Sequence, residues 1–132
     1  MNVLDLCARV AEFLAVVELT DAGEVVVREY SEHRVPPELL ATCREHKAEL
    51  AAWLTWERDA AALWRAVFDR IAATGDHADL ATDSKYLRLE AIADAAHARH
   101  DRAGLVDALL RLETYGTTTQ TRTAHDQNGG AT

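Results

Sequence analysis

The chain has 132 residues, 48% hydrophobic, 27% charged and 6% aromatic, with 22 acidic side chains against 14 basic ones and a net charge of −8 with histidine neutral. This is one small domain's worth of globular composition, neither a disordered acid nor a membrane protein. The average field repels nucleic-acid phosphates and anionic membrane faces, so direct nucleic-acid binding and a membrane partner are not expected. Roughly one residue in five is alanine and only two are proline, which favours helix.

Residues 3–14 read as a first helix, with Leu4, Cys7, Val10, Ala11 and Leu14 on one apolar stripe and Phe13 at its edge. The pattern then changes. Val16, Val17 and Leu19 precede Thr20-Asp21-Ala22-Gly23, and Val25, Val26 and Val27 come after it, continuing as Arg28, Glu29 and Tyr30. β-Branched residues around an Asp/Gly turn predict a hairpin. In the second strand Val26 faces away from Val25 and Val27, so both faces carry apolar side chains, and one of them needs a partner.

Pro36 and Pro37 open the next helix, where a missing N–H costs nothing, and Glu38 suits the positive end of its dipole. Leu39, Leu40, Cys43, Leu50, Trp53 and Leu54 mark its apolar face. Leu63, Trp64, Val67, Phe68 and Ile71 carry the periodicity on to Gly75. No Gly or Pro interrupts residues 38–74, which as one helix would be about 55 Å long at 1.5 Å per residue. A bend is therefore expected near residues 55–58, a continuous spine helix being the alternative. Residues 77–83 read as a loop, with Asp83 or Ser84 capping a further helix. That amphipathic helix carries Tyr86, Leu87, Leu89, Ile92 or Ala93, and Ala96. Asp101-Arg102-Ala103-Gly104 is either a tight turn capped by Asp101 or a weak point in one long helix. Leu105, Val106, Leu109, Leu110 and Leu112 complete the last helix, which is expected to stop at Tyr115-Gly116. Residues 117–132, lacking core-forming side chains, are expected to be disordered.

Candidate chemistry is sparse. His97 and His100 stand one turn apart, as do Cys43 and His46, but neither pair has an obvious third ligand, so no metal and no cofactor is expected. The carboxylate pairs Asp76 with Asp79 and Glu18 with Glu24 read as solvated surface. No nucleophile elbow, Walker loop, dinucleotide glycine pattern or HExxH occurs, so no catalytic residue is assigned and no enzyme is expected. Cys7 and Cys43 lack CxxC spacing, and Asp5 and Arg9 interrupt the first apolar run, unlike a signal peptide. The expectation is two reduced thiols in a cytoplasmic protein. Of Trp53, Trp56 and Trp64, all expected in the core, Trp56 is the candidate interface anchor.

Leu4-Asp5-Leu6, Val16-Val17-Glu18-Leu19, Glu24-Val25-Val26-Val27-Arg28, Pro36-Pro37-Glu38-Leu39-Leu40 and Arg44-Glu45-His46-Lys47-Ala48-Glu49-Leu50 occur in an order that resembles the TubC-type N-terminal docking domain of hybrid peptide synthetase and polyketide synthase subunits. The likeness covers about residues 1–54. It implies a helix–strand–strand–helix module that forms homodimers and receives the C-terminal tail of another subunit by strand addition. The receiving edge would then be Val25, Val26, Val27, Arg28, Glu29 and Tyr30, with Arg28 facing an acidic tail. Where that family continues into condensation or adenylation domains, this sequence continues into a short helical region.

The fold expected is α+β and mostly α: a helix–hairpin–helix module over residues 1–54, a helical region over 55–116 and a disordered tail over 117–132. The function expected is a non-enzymatic protein-interaction module, homodimeric, binding a partner segment through the hairpin edge. The alternative is a small mobile-element or phage-type regulator that inhibits a nucleic-acid enzyme with its acidic surface.

Overall fold

The computed structural model describes residues 2–75 and 78–129. It is mostly helical, with one two-stranded antiparallel sheet, and the chain divides into two compact units, Met1–Arg58 and Asp59–Thr132. The division falls four residues beyond the boundary read from the sequence. No helix among the described residues is long and apolar enough to cross a membrane.

The N-terminal unit holds α1 (Val3–Ala11), β1 (Ala15–Leu19), β2 (Val25–Glu29), α2 (Pro37–Glu45) and the start of α3 (Lys47–Ala72). Asn2 caps α1, its side-chain oxygen accepting the Asp5 N–H at 2.8 Å. The helix ends three residues earlier than its apolar pattern suggests. Leu14 adopts φ +53° and turns the chain into the hairpin. This exit changes which face is buried. Leu6 and Val10 are fully enclosed, with Val3, Cys7 and Phe13 against the same core, whereas Leu4 and Leu14 are each 61% exposed. Of the expected stripe, Val10 and Cys7 do face the core, whereas Leu4 and Leu14 do not, and Leu6 and Val3 take their place.

That core is completed by Ala15 and Val17 from β1, Val35, Cys43 from α2 and Leu50 from α3, with Val25, Val27, Leu39, Leu40 and Leu54 at its margin. Both cysteines are free, and burial pushes both thiols up in pKa, Cys7 also feeling Cys43. The break in the long helical stretch comes at His46 (φ −102°, ψ 19°), not at residues 55–58. The His46 N–H still bonds the Thr42 carbonyl, and the Leu50 N–H bonds the His46 carbonyl. A kink confined to one residue leaves the apolar period intact, so the pattern does not register it.

The C-terminal unit contains the rest of α3, a 3₁₀ turn (Ala78–Thr82), α4 (Ser84–Ala98) and α5 (Arg102–Gly129). Val67, Ile71, Leu80, Tyr86, Leu105, Leu109 and Leu112 are among its buried residues, and Ala93 rather than Ile92 faces inward on α4. Leu87, Ile92 and Leu110, read as core from the sequence, are about half exposed. Smaller side chains, Ala93, Ala96 and Ala108, lie buried in these helices instead. The sequence Asp101-Arg102-Ala103-Gly104 is resolved as a turn. His100 takes φ +57°, the Asp101 N–H bonds back to the Ala96 carbonyl, and the Asp101 side chain accepts the Gly104 N–H at 2.9 Å. Asp101 thus closes one helix and caps the next. Gly104 suits the cap because a Cβ there would collide with the Asp101 carboxylate.

The stop expected at Tyr115-Gly116 is absent, since the helical backbone of α5 runs on through Gly129. Gly116 is buried, with Ile71 Cδ1 3.1 Å from where a Cβ would stand, so its missing side chain serves close packing. The rest of the segment expected to be disordered, residues 130–132, lies outside the described residues.

Asp83 joins α4 to α5. Its carboxylate accepts the Lys85 and Tyr86 N–H groups, each at 3.0 Å, and the Tyr115 hydroxyl at 3.0 and 2.8 Å, while the Lys85 ammonium lies 5.0 Å from the Tyr115 ring. These bonds, the Tyr86 N–H foremost, hold the Asp83 carboxyl below its ordinary range; the same contact raises the Tyr115 phenol. A depressed carboxyl contributes stability above its unfolded pKa, lost as pH falls through the folded one. The raised phenol contributes below its unfolded pKa, and that is lost as pH rises through the folded one. Urea titrations of the full chain should therefore show stability falling below about pH 4 and above about pH 10. Asp83→Asn should flatten the acid limb, and Tyr115→Phe should lessen the alkaline limb, to which the raised Cys7 and Cys43 thiols and the raised Tyr30 and Tyr86 phenols also contribute.

Candidate interaction surface

The hairpin is built on a tight connection. Thr20 N–H bonds the Glu24 carbonyl at 2.7 Å, Gly23 N–H bonds the Thr20 carbonyl at 2.9 Å, and Gly23 has φ +84°, a conformation glycine adopts without strain. The register pairs Ala15 with Glu29, Val16 with Arg28, Val17 with Val27, Glu18 with Val26 and Leu19 with Val25.

Antiparallel pairs alternate between those that exchange hydrogen bonds and those that do not. The bond from Tyr30 N–H to the Leu14 carbonyl at one end, and from Thr20 N–H to the Glu24 carbonyl at the other, set the phase. Val16–Arg28 and Glu18–Val26 are hydrogen-bonded pairs. Ala15–Glu29, Val17–Val27 and Leu19–Val25 are not, so their N–H and C=O groups point away from the partner strand. On β1 the outward Leu19 carbonyl is taken by Arg58 Nη2 at 2.7 Å. On β2 the outward N–H and C=O groups of Val25, Val27 and Glu29 make no hydrogen bond with any described residue.

The two faces differ. Val25 and Val27 look inward to the core, and Val26 looks outward, as the alternation requires. The outer face also carries Val16, 47% exposed, and Tyr30, 65% exposed. An ion pair between Arg28 and Glu18 crosses it, and the Tyr30 hydroxyl donates to Glu18 Oε1 at 2.9 Å, which raises the phenol's pKa. Arg34 reaches Glu29 at 3.4 Å. The Arg28 guanidinium, expected from the resemblance to meet an acidic tail, is already held by Glu18.

The remaining candidates do not assemble. Cys43 is buried in the core, and the His46 ring stands 3.4 Å from Glu49. His97 lies on α4, where its Nδ1 accepts from Trp64 Nε1 at 3.3 Å, whereas His100 lies beyond the helix end. Among the described residues no three His, Cys, Asp or Glu side chains converge. Asp76 lies outside the described residues. Glu18 and Glu24 are separated between the outer face and the turn. Trp56 is half-buried, not an exposed anchor, as are Trp53 and Trp64. Arg58, the side chain that takes the Leu19 carbonyl at the β1 edge, is marked by no sequence pattern, because its contact spans 39 residues. Compared with family models, with curated proteins and with solved structures, the chain matches none.

Proposed function

We propose that this protein is a non-enzymatic interaction module that receives an extended segment of another protein along β2, by strand addition. What carries the reading is the unequal treatment of the two hairpin edges. On the β1 edge the Leu19 carbonyl is taken by Arg58, whereas the outward backbone groups of Val25, Val27 and Glu29 on β2 all lack a partner among the described residues. Such a row is a template for a further strand, and natural proteins usually blunt it when it is not used. A helix–hairpin–helix module of this kind is what the resemblance to TubC-type docking domains implies. As a homodimer, two copies meet over the outer face, where Val16 and Tyr30, beside the half-buried Val26, leave apolar area uncovered, and the β2 edge stays available to the partner.

The test is a photo-crosslinking amino acid placed in vivo at Arg28 on the outer face beside the edge, and separately at the exposed Arg65 on α3. A discrete adduct to one protein from position 28 and none from position 65 is the expected result. Adducts from position 65 alone would refute the hairpin as the contact surface. Sedimentation of the wild type over a hundredfold concentration range should show a monomer–dimer equilibrium that Val16→Glu shifts to monomer.

A further inference from the structure

We infer that the strand accepted by β2 is cationic at both ends and apolar in the middle, a chemistry opposite to the acidic tail expected by resemblance. This inference rests on the strand-addition reading and specifies its occupant. The two arginines near the edge are both neutralised within the chain, Arg28 by Glu18 and Arg34 by Glu29. Glu29, the last residue of β2, is thereby paired, but the carboxylates that flank the strand beyond its two ends are not. Asp21 and Glu24 at the turn end, and Glu32 just past the exit, are exposed and have no ion-pair partner within 4 Å among the described residues. Between them β2 presents Val25, Val26 and Val27. A five-residue strand is about 17 Å long at 3.3 Å per residue. Arg58, the remaining cation near the turn, sits on the opposite edge at the Leu19 carbonyl, so a segment laid along β2 has each end beside exposed carboxylates and its middle beside valines. An acidic segment would meet repulsion at both ends with its one candidate arginine already engaged. A second copy of this chain, carrying the same carboxylates, meets the same repulsion if it pairs edge to edge.

The probe is a pair of fluorescent synthetic peptides with the same alternating valine–threonine centre. One carries two lysines at each end and the other two glutamates at each end, and binding to the full-length protein is followed by anisotropy. Three exposed charges, each a weak contact alone, together give the cationic peptide an advantage of about tenfold or more at low salt. At 0.5 M salt the screening length is about 4 Å, and the advantage should collapse. The triple variant Asp21→Asn, Glu24→Gln, Glu32→Gln should remove it at low salt without lowering binding of a valine–threonine peptide that has uncharged ends. Val27→Pro should abolish binding of both charged peptides, which separates strand addition from diffuse attraction to an acidic protein. Equal affinities, or a preference for the acidic peptide, would overturn the cationic assignment and leave strand addition standing. Binding of neither peptide, nor of the uncharged one, to a protein whose hairpin amide exchange is intact would overturn strand addition, and this inference with it. Cationic-peptide binding that survives Val27→Pro would do the same.

Discussion

Replacing Val27 with proline abolishes capture of an extended partner while leaving the helical far-UV signal close to that of the wild type. The Val27 N–H points out of the hairpin, so proline there removes no bond of the β1–β2 ladder. It does remove the central donor of the free edge and places a ring where an incoming backbone must sit. One unmade backbone bond in a desolvated strand pair is worth about 1–3 kcal/mol, roughly a 10- to 100-fold loss of affinity before the steric clash is added. Arg28→Pro, one residue along, is the counterpart. It deletes an N–H that bonds across to Val16 and should disrupt the hairpin itself, with loss of the strand signal in NMR. Titration of the partner by calorimetry distinguishes the two. If Val27→Pro binds as tightly as wild type, the partner does not use the β2 backbone.

Leu6→Ala lowers the stability of the N-terminal unit by about 2–5 kcal/mol, and Leu4→Ala changes it by about 0.5 kcal/mol or less. Leu6 is fully buried among Val10, Val17 and Leu50, so its truncation leaves a cavity under the sheet, whereas Leu4 is 61% exposed. Urea melts monitored by tryptophan fluorescence measure both. Equal costs would mean that α1 turns the other face to the core, which would also alter what lies beneath the hairpin. The Leu6 variant should weaken partner binding as well, because the strand that presents the edge rests on that core.

The sequence was most legible where local rules act alone. The hairpin with its Gly23 turn, the capping of α4 by Asp83, the proline-opened α2 and the mostly helical architecture all come from signals within about five residues. Legibility failed where the answer depends on contacts distant in the chain. Two apolar stripes compete on α1, and the choice between them turned on Leu14 leaving the helix, a matter of one dihedral angle. Gly116 looked like a stop and is a packing position against Ile71, 45 residues earlier. On α4 and α5 the larger apolar side chains Ile92 and Leu110 stay partly in solvent and alanines go inside.

The candidate surface divides in the same way. That β2 is apolar on both faces is evident from Val25-Val26-Val27 alone. That Arg28 is engaged by Glu18, and that Arg58 takes the Leu19 carbonyl on the β1 edge while the outward groups of β2 have no partner among the described residues, depends on register and on a contact 39 residues away. Charge at the edge was misjudged for that reason, since a count of arginines does not reveal which carboxylates already hold them.

Amide hydrogen exchange along β2, read residue by residue by NMR on the full-length protein, bears most directly on the open edge. The amides of Val26, Arg28 and Tyr30, bonded across to β1, should be protected in the free protein. Those of Val25, Val27 and Glu29 should exchange at rates near those of an unstructured chain, slowing by at least about tenfold when a strand-forming peptide is bound. Protection of all six amides in the free protein would mean that the edge is already closed, and the docking account would be wrong.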